Sequence, residues 1–141
     1  MKILLLTAAA ALIAGPAAAQ QPGAETLVLP GATAAPDCGN LYGMAGRAFC
    51  VTAPLASIGA LADAYVADLA GRGWLAAGGE ENRVVFVRRR DGGGCDGLQM
   101  QAFYDTSRPA GPEAPGYLGF APIPGDVCAT PAPAVSTVPD Q

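Results

Sequence analysis

Four cysteines constrain the fold of this chain more than any other feature of its sequence. They are Cys38, Cys50, Cys95 and Cys128, and they border the part of the chain that has regular apolar patterning. In a protein that reaches an oxidising compartment, an even number of cysteines predicts disulfides. Four cysteines allow three pairings, so the choice depends on which strands are neighbours in the fold.

Two other uses of cysteine fit the spacing poorly. Eleven, forty-four and thirty-two residues separate successive cysteines, so there is no Cys-x-x-Cys motif for thiol redox chemistry. Structural zinc sites use ligand pairs about two to four residues apart, often with histidine, and this chain has no histidine. The sequence therefore predicts structural disulfides, with no metal site and no cofactor.

The first nineteen residues have the pattern of a bacterial secretory signal peptide. Lys2 precedes an apolar run of twelve residues (3–14), and alanines at 17–19 match the small-residue cleavage pattern. A helix of that length would measure about 18 Å, against about 30 Å for the hydrocarbon core of a bilayer. We therefore expect cleavage after Ala19, export to the periplasm or the medium, and no membrane span in the mature chain.

Composition divides the mature chain into one domain and two flanking segments. Residues 20–36 and 129–141 are biased towards proline, alanine and threonine without periodicity, so both are predicted to be flexible. Residues 37–128 contain all four cysteines and form a single predicted domain. Because a domain of this size buries only about 60–68% of its unfolded surface, we expect the disulfides to contribute to its stability.

The charge balance disfavours nucleic acid as a partner. The chain has eight Lys plus Arg and twelve Asp plus Glu, and loss of Lys2 with the signal peptide leaves seven against twelve, a net charge of −5. Binding to phosphates requires a basic face. We therefore predict no nucleic-acid partner.

Apolar spacing predicts one helix, from Pro54 to about Arg72. Residues three and four apart share a helical face, and the apolar ones here are Leu55, Ile58, Leu61, Tyr65 and Leu69. Gly73 then suits the positive-φ position after the last helical turn. In that motif the following residue packs back on the helix, so Trp74 is predicted to be structural.

Strand-like segments precede and follow this helix, at residues 46–53, 83–90, 97–105 and 117–123. Residues 76–82 contain paired alanines and glycines and are predicted to form a loop. The order strand, helix, strand, strand, strand predicts a small two-layer α+β domain. In it, one helix packs on a mainly antiparallel sheet of three to four strands, stapled by disulfides.

The register of the last two strands selects one disulfide pairing. If Tyr104 lies opposite Tyr117 in an antiparallel pair, Cys95 falls close enough to Cys128 for a bridge. The remaining pair, Cys38–Cys50, then closes a short loop. In the chain-entropy model each bridge stabilises the fold by about 3–4 kcal/mol.

Three arginines, Arg88, Arg89 and Arg90, precede the glycine-rich segment at 91–97. A phosphate-binding loop would open a helix and carry a lysine, and a calcium loop would place oxygen ligands on alternate residues. This segment does neither and leads into a strand. We predict a hairpin turn with the arginines at the solvated end of a strand, and contact with an acidic partner as their secondary role.

No motif in the sequence identifies an activity. The chain lacks a histidine for a serine or cysteine triad and has no nucleotide-binding fingerprint. We expect a small, non-catalytic exported module that binds a protein or an envelope component, with its specificity and oligomeric state open. The alternative is a secreted hydrolase that uses paired carboxylates, and its candidate residues are Asp63, Asp68, Glu80 and Glu81.

Overall fold

A six-stranded antiparallel sheet and one helix make up the computed structural model, which describes residues 27–129. The strands are β1 (Thr33–Ala34), β2 (Phe49–Pro54), β3 (Leu75–Glu80), β4 (Arg83–Arg89), β5 (Cys95–Tyr104) and β6 (Pro115–Ile123), and helix α1 spans Ile58–Gly71. The predicted signal peptide, and all but the first residue of the predicted C-terminal segment, lie outside the described residues. No helix between residues 27 and 129 is long and apolar enough to cross a bilayer.

The strand order across the sheet is β1, β2, β6, β5, β4, β3. Helix α1 connects β2, near one edge, to β3, at the opposite edge, and therefore crosses one face of the sheet. The predicted disulfide-stapled α+β architecture is confirmed. The predicted count of three to four strands is wrong, because β1 and β3 add a strand to each edge.

Both additional strands lack the pattern by which strands are recognised. β1 contains only two residues. Every residue of β3 is exposed, so the strand has no buried side to be marked by apolar residues at alternate positions of its sequence. β3 is nevertheless paired with β4, from Leu75 opposite Val87 to Glu80 opposite Arg83. β3 is a strand because of this backbone pairing, which cannot be recognised from the pattern of its side chains.

The main core lies between α1 and the sheet face that it covers, here called the helix face. The buried side chains of α1 are Ile58, Leu61, Tyr65 and Leu69. The Tyr65 ring centroid lies 4.8 Å from that of Phe120 in β6. The buried residues of the sheet that complete this core are Val51, Ala53, Phe86, Leu98, Met100, Leu118 and Phe120.

The helix begins later than its apolar spacing predicts. Pro54 is the last residue of β2, where it lies opposite Pro115 of β6. Leu55–Ser57 then form a single 3-10 turn, and α1 starts at Ile58. The predicted start at Pro54 is wrong because pairing with β6 keeps that residue extended.

The predicted helix end is confirmed. Gly73 has φ +86°, and the N–H groups of Gly73 and Trp74 donate to the carbonyls of Ala70 and Leu69 at 3.2 and 3.0 Å. This is the double hydrogen bond of a Schellman motif. Trp74 is 3% exposed, and its ring lies 4.4 Å from the guanidinium carbon of Arg88.

Tyr65 attaches the N-terminal segment of the described chain to α1. Its hydroxyl donates to the carbonyl of Leu27 at 2.7 Å and accepts from the N–H of Leu29 at 3.2 Å. Burial raises the pKa of Tyr65 and thus favours the protonated hydroxyl that donates to Leu27. Leu29 packs against the main core.

The opposite face of the sheet is partly covered by residues 35–48, here called the cap segment. Its Cys38 is bonded to Cys50 of β2. With Phe103 and Tyr117 of the sheet, the cap segment encloses a second, smaller core. A second disulfide, Cys95–Cys128, holds residues 124–128 against the far end of β5. Both disulfides follow the pairing that the strand register predicts.

The register itself differs from the prediction by one residue. Phe103, and not Tyr104, lies opposite Tyr117, and the two rings stack with centroids 5.3 Å apart. Adjacent residues of a strand point to opposite faces. Phe103 therefore packs under the cap segment, whereas Tyr104 belongs to the helix face.

Candidate functional site

The arginine run leads into a hairpin turn, as predicted. The N–H of Arg90 donates to the carbonyl of Gly94 at 2.9 Å, which closes the turn between β4 and β5. Gly94 has φ +78°, and a Cβ there would lie 2.7 Å from the Asp126 carboxylate. The positive φ and this close neighbour thus explain the glycine at position 94.

Two of the three arginines have structural contacts. The Arg90 guanidinium donates to Asp96 at 2.7 Å and to the carbonyl of Gly125 at 2.8 Å. Arg88 is half-buried over Trp74, with its guanidinium 3.9 Å from Asp96. Arg89 and Arg90 are exposed. The predicted solvent exposure therefore holds for these two and not for Arg88, and contact with an acidic partner stays a prediction.

Asp126 holds the loop beside the second disulfide. Its carboxylate accepts the N–H of Cys95 at 2.8 Å and that of Cys128 at 3.0 Å. The sulfur atoms of the two cysteines and the carboxylate lie within 4.8 Å of one another, and the two sulfurs are bonded to each other. The disulfide and these hydrogen bonds account for the cluster without a metal ion.

Asp126 should make stability depend on pH. The N–H groups of Cys95 and Cys128 lower its pKa, with a further contribution from Arg90. A carboxyl whose pKa is lower in the folded state stabilises the fold above its unfolded pKa of about 4, and this stabilisation is lost as the pH falls. Asp126→Asn should therefore lower the melting temperature at pH 7 more than at pH 2.5.

Asp91→Asn, at an exposed position of the same hairpin turn, is the matched control. Thermal melts of both variants and the parent at the two pH values provide the comparison. If Asp126→Asn lowers the melting temperature equally at pH 7 and pH 2.5, the proposed role of the charged carboxylate is wrong.

The carboxylates considered for a hydrolase do not converge. Asp68 forms an ion pair with Arg72 at 2.7 Å on α1, and Asp63 is exposed on the same helix. Glu80, at the end of β3, pairs with Arg83 at 3.1 Å. These carboxylates, together with Glu81, lie outside the cleft that is described next.

A cleft of about 410 Å³ lies at the end of β5. Its size falls in the range of small-ligand sites, about 300–1,000 Å³. It is bounded by the 3-10 turn before α1, the cap segment, the β3–β4 turn and the residues that follow β5. The lining residues are Tyr42, Leu55, Ile58, Asn82, Gln101, Ala102, Phe103, Tyr104 and Thr106.

The cleft exists because β4 is shorter than β5. β4 begins at Arg83, opposite Gln101. Asn82 extends the pairing by one residue, since its carbonyl accepts the N–H of Ala102 at 2.8 Å. Beyond that point β5 continues to Tyr104 beside β6 alone. The side of β5 that faces away from β6 is therefore open to the cleft.

The lining combines aromatic and apolar surface with neutral polar groups. Tyr42 and Tyr104 are 62% and 37% exposed, and the Tyr42 ring packs edge-on against Phe103 with centroids 5.9 Å apart. Asn82 and Thr106 contribute an amide and a hydroxyl. None of the nine lining residues is charged at neutral pH. The cleft is suited to a neutral ligand that is partly apolar.

Tyr42 projects from a strained part of the cap segment. Its φ is +53°, and Cys38 and Asn40 also have positive φ, at +52° and +56°. A non-glycine residue costs about 1–2 kcal/mol in this conformation. The Tyr42 hydroxyl donates to the carbonyl of Tyr104 at 3.1 Å.

Sequence reasoning did not identify any residue of this cleft as functional. The sequence predicts Leu55 and Ile58 on the apolar face of the helix, Tyr104 in a strand and Asn82 in a loop. Four separate stretches of the chain supply the lining, at positions 42, 55–58, 82 and 101–106, and no motif links them along the chain. The cleft follows from the relative lengths of β4 and β5, which the sequence does not display.

Comparison with models of known protein families, with curated proteins and with solved structures found no match to this chain.

Proposed function

We propose that this chain is an exported, non-catalytic module that binds a neutral, partly apolar group of a partner protein or envelope component in the cleft at the end of β5. The observation that carries the proposal is the cleft itself. It joins exposed tyrosines to amide and hydroxyl groups around an open stretch of strand backbone. Sites for small ligands typically combine apolar walls with a few polar groups that orient the ligand.

Export is supported by two observations. The two disulfides are compatible with an oxidising compartment, and the first nineteen residues match a signal-peptide pattern. A binding role is favoured over carboxylate hydrolysis because the cleft is lined by uncharged residues. The candidate carboxylates lie on α1 and on the β3–β4 hairpin, two of them in ion pairs.

Small neutral probes test the proposal. Residues 20–141, with both disulfides formed, are titrated with N-acetyl-leucine methylamide, methyl glucoside or N-acetylglutamate, and amide shifts are followed by two-dimensional NMR. At least one of the two neutral probes should shift the amides of Asn82, Tyr104 and Thr106, and the charged probe should shift them less. If no neutral probe perturbs these amides, the cleft is not a binding site.

A pair of variants sharpens this test. Tyr104→Ala removes an exposed ring from the cleft wall and should weaken binding of the neutral probe about fivefold, since an aromatic contact contributes about 1 kcal/mol. Leu75→Ala removes an exposed apolar side chain from β3, outside the cleft, and should leave the probe affinity unchanged. Equal affinities of the two variants would contradict the proposal.

A further inference from the structure

We infer that the ligand of the cleft is an extended, uncharged peptide segment. It adds a short strand to β5 and displaces the Tyr42 hydroxyl from the backbone carbonyl of Tyr104. This inference rests on the proposed function and specifies the ligand class. It is based on the backbone of β5 after Ala102, the last residue of β5 that pairs with Asn82, and on the apolar surface beside that backbone. The position of Tyr42 is the third observation.

The open backbone of β5 is arranged to pair with another strand. Ala102 directs both its N–H and its carbonyl towards Asn82, which accepts the first at 2.8 Å and donates its side-chain amide to the second at 3.5 Å. Backbone groups two residues along a strand point to the same side. The N–H and carbonyl of Tyr104 therefore point into the cleft, in line with β4.

A peptide residue opposite Tyr104 would exchange two hydrogen bonds with it. In an antiparallel pair of this kind, the N–H of each residue donates to the carbonyl of the other. The peptide would occupy the place that β4 would fill if it were longer. Strand addition to an exposed sheet edge is a recurring mode of peptide recognition, in which the backbone supplies affinity and side-chain pockets supply specificity.

The side chain of that peptide residue would meet apolar surface. Residues opposite each other in a sheet point to the same face, and Tyr104 belongs to the helix face. On that face the cleft is lined by Leu55 and Ile58. The pocket therefore favours an aliphatic side chain in the central position of the peptide. Because the lining carries no charge, a charged side chain would be desolvated there without a partner.

In the free protein, Tyr42 makes the hydrogen bond that the peptide would make to the Tyr104 carbonyl. Its hydroxyl donates to the carbonyl of Tyr104, the same acceptor that the N–H of the peptide requires. The side chain is largely exposed, so water can replace the Tyr104 carbonyl as the partner of its hydroxyl when a peptide binds. We therefore expect the hydroxyl to compete with the peptide.

Two peptides and one variant test the inference. The probes are acetyl-Thr-Leu-Thr-amide and the same peptide with the backbone nitrogen of its leucine methylated. The methylated leucine cannot donate a hydrogen bond to the Tyr104 carbonyl. The unmethylated peptide should bind at least about tenfold more tightly. Tyr42→Phe should increase its affinity roughly two- to tenfold, because a competing hydrogen bond is removed, and should not change the affinity of the methylated peptide.

The outcomes separate this inference from the proposed function. Equal binding of the two peptides, or weaker binding of the unmethylated peptide to Tyr42→Phe, would overturn strand addition. Tighter binding of a neutral trisaccharide than of the peptide, with shifts at the same amides, would overturn the peptide assignment while the proposed function stands. If none of the neutral probes perturbs the cleft, both the inference and the proposed function fail. The two-peptide comparison needs no variant and is independent of how Tyr42→Phe folds.

Discussion

Replacing Trp74 by alanine is expected to lower the free energy of unfolding by about 3–5 kcal/mol, the range for large-to-small changes at buried aromatic positions. Trp74 is 3% exposed and belongs to the main core. It also ends the Schellman motif, since its N–H donates to the carbonyl of Leu69. The indole side chain fills the corner between the end of α1 and the start of β3, and alanine would leave a cavity there.

Two further variants are compared with Trp74→Ala for their loss of stability. Leu75→Ala changes the next residue, which is 67% exposed, and should alter stability by about 0.5 kcal/mol or less. Arg88→Gln removes the cation above the indole ring and should cost about 0.5–1 kcal/mol. Chemical denaturation in one buffer should rank Trp74→Ala as the least stable of the three. If Arg88→Gln were less stable than Trp74→Ala, the arginine would belong to a buried network.

Removing the disulfide of the cap segment is expected to affect both stability and binding. The bridge Cys38–Cys50 spans a sequence separation of 12, for which the chain-entropy model predicts about 3 kcal/mol. Both cysteines are buried in the second core. In the Tyr42→Phe background, where no hydroxyl competes for the Tyr104 carbonyl, replacing both cysteines by alanine should also free the ring at position 42 from the cleft wall, and so weaken binding of N-acetyl-leucine methylamide.

The second disulfide provides the matched control. Cys95–Cys128 spans a separation of 33 and should contribute slightly more, about 3.7 kcal/mol in the same model. It lies at the opposite end of β5 from the cleft, so its replacement by two alanines should reduce stability and leave probe affinity unchanged. Denaturation curves and probe titrations of both double variants measure the two effects. Equal loss of binding in both would show that the cap segment has no specific role.

The sequence was most informative where one segment determines its own structure. Gly73 and Trp74 predict the helix end because the Schellman motif is local. The hairpin turn at Gly94 is also local. The predicted register of β5 and β6 is wrong by one residue. It nevertheless predicts the correct disulfide pairing, because an error of this size still leaves Cys95 near Cys128.

Features that depend on distant segments were missed. β3 is held by backbone pairing at the sheet edge, so its exposed alanines and glycines give no strand pattern. Stacking of Phe103 on Tyr117 accompanies the observed register, and the sequence does not reveal this contact. The cleft arises where β4 ends before β5 does. Its lining could be identified only once the register of β4 against β5 was known.

Hydrogen exchange of the Tyr104 backbone amide tests the central claim most directly. This N–H points into the cleft beyond Asn82, so a peptide that adds a strand to β5 must accept a hydrogen bond from it. With acetyl-Thr-Leu-Thr-amide near saturation, exchange of the Tyr104 amide should slow markedly relative to the free protein. The amide of Ser107, which already donates to Asp105 at 3.0 Å, should change little. Unchanged exchange at Tyr104 while the peptide is bound would contradict strand addition in this cleft.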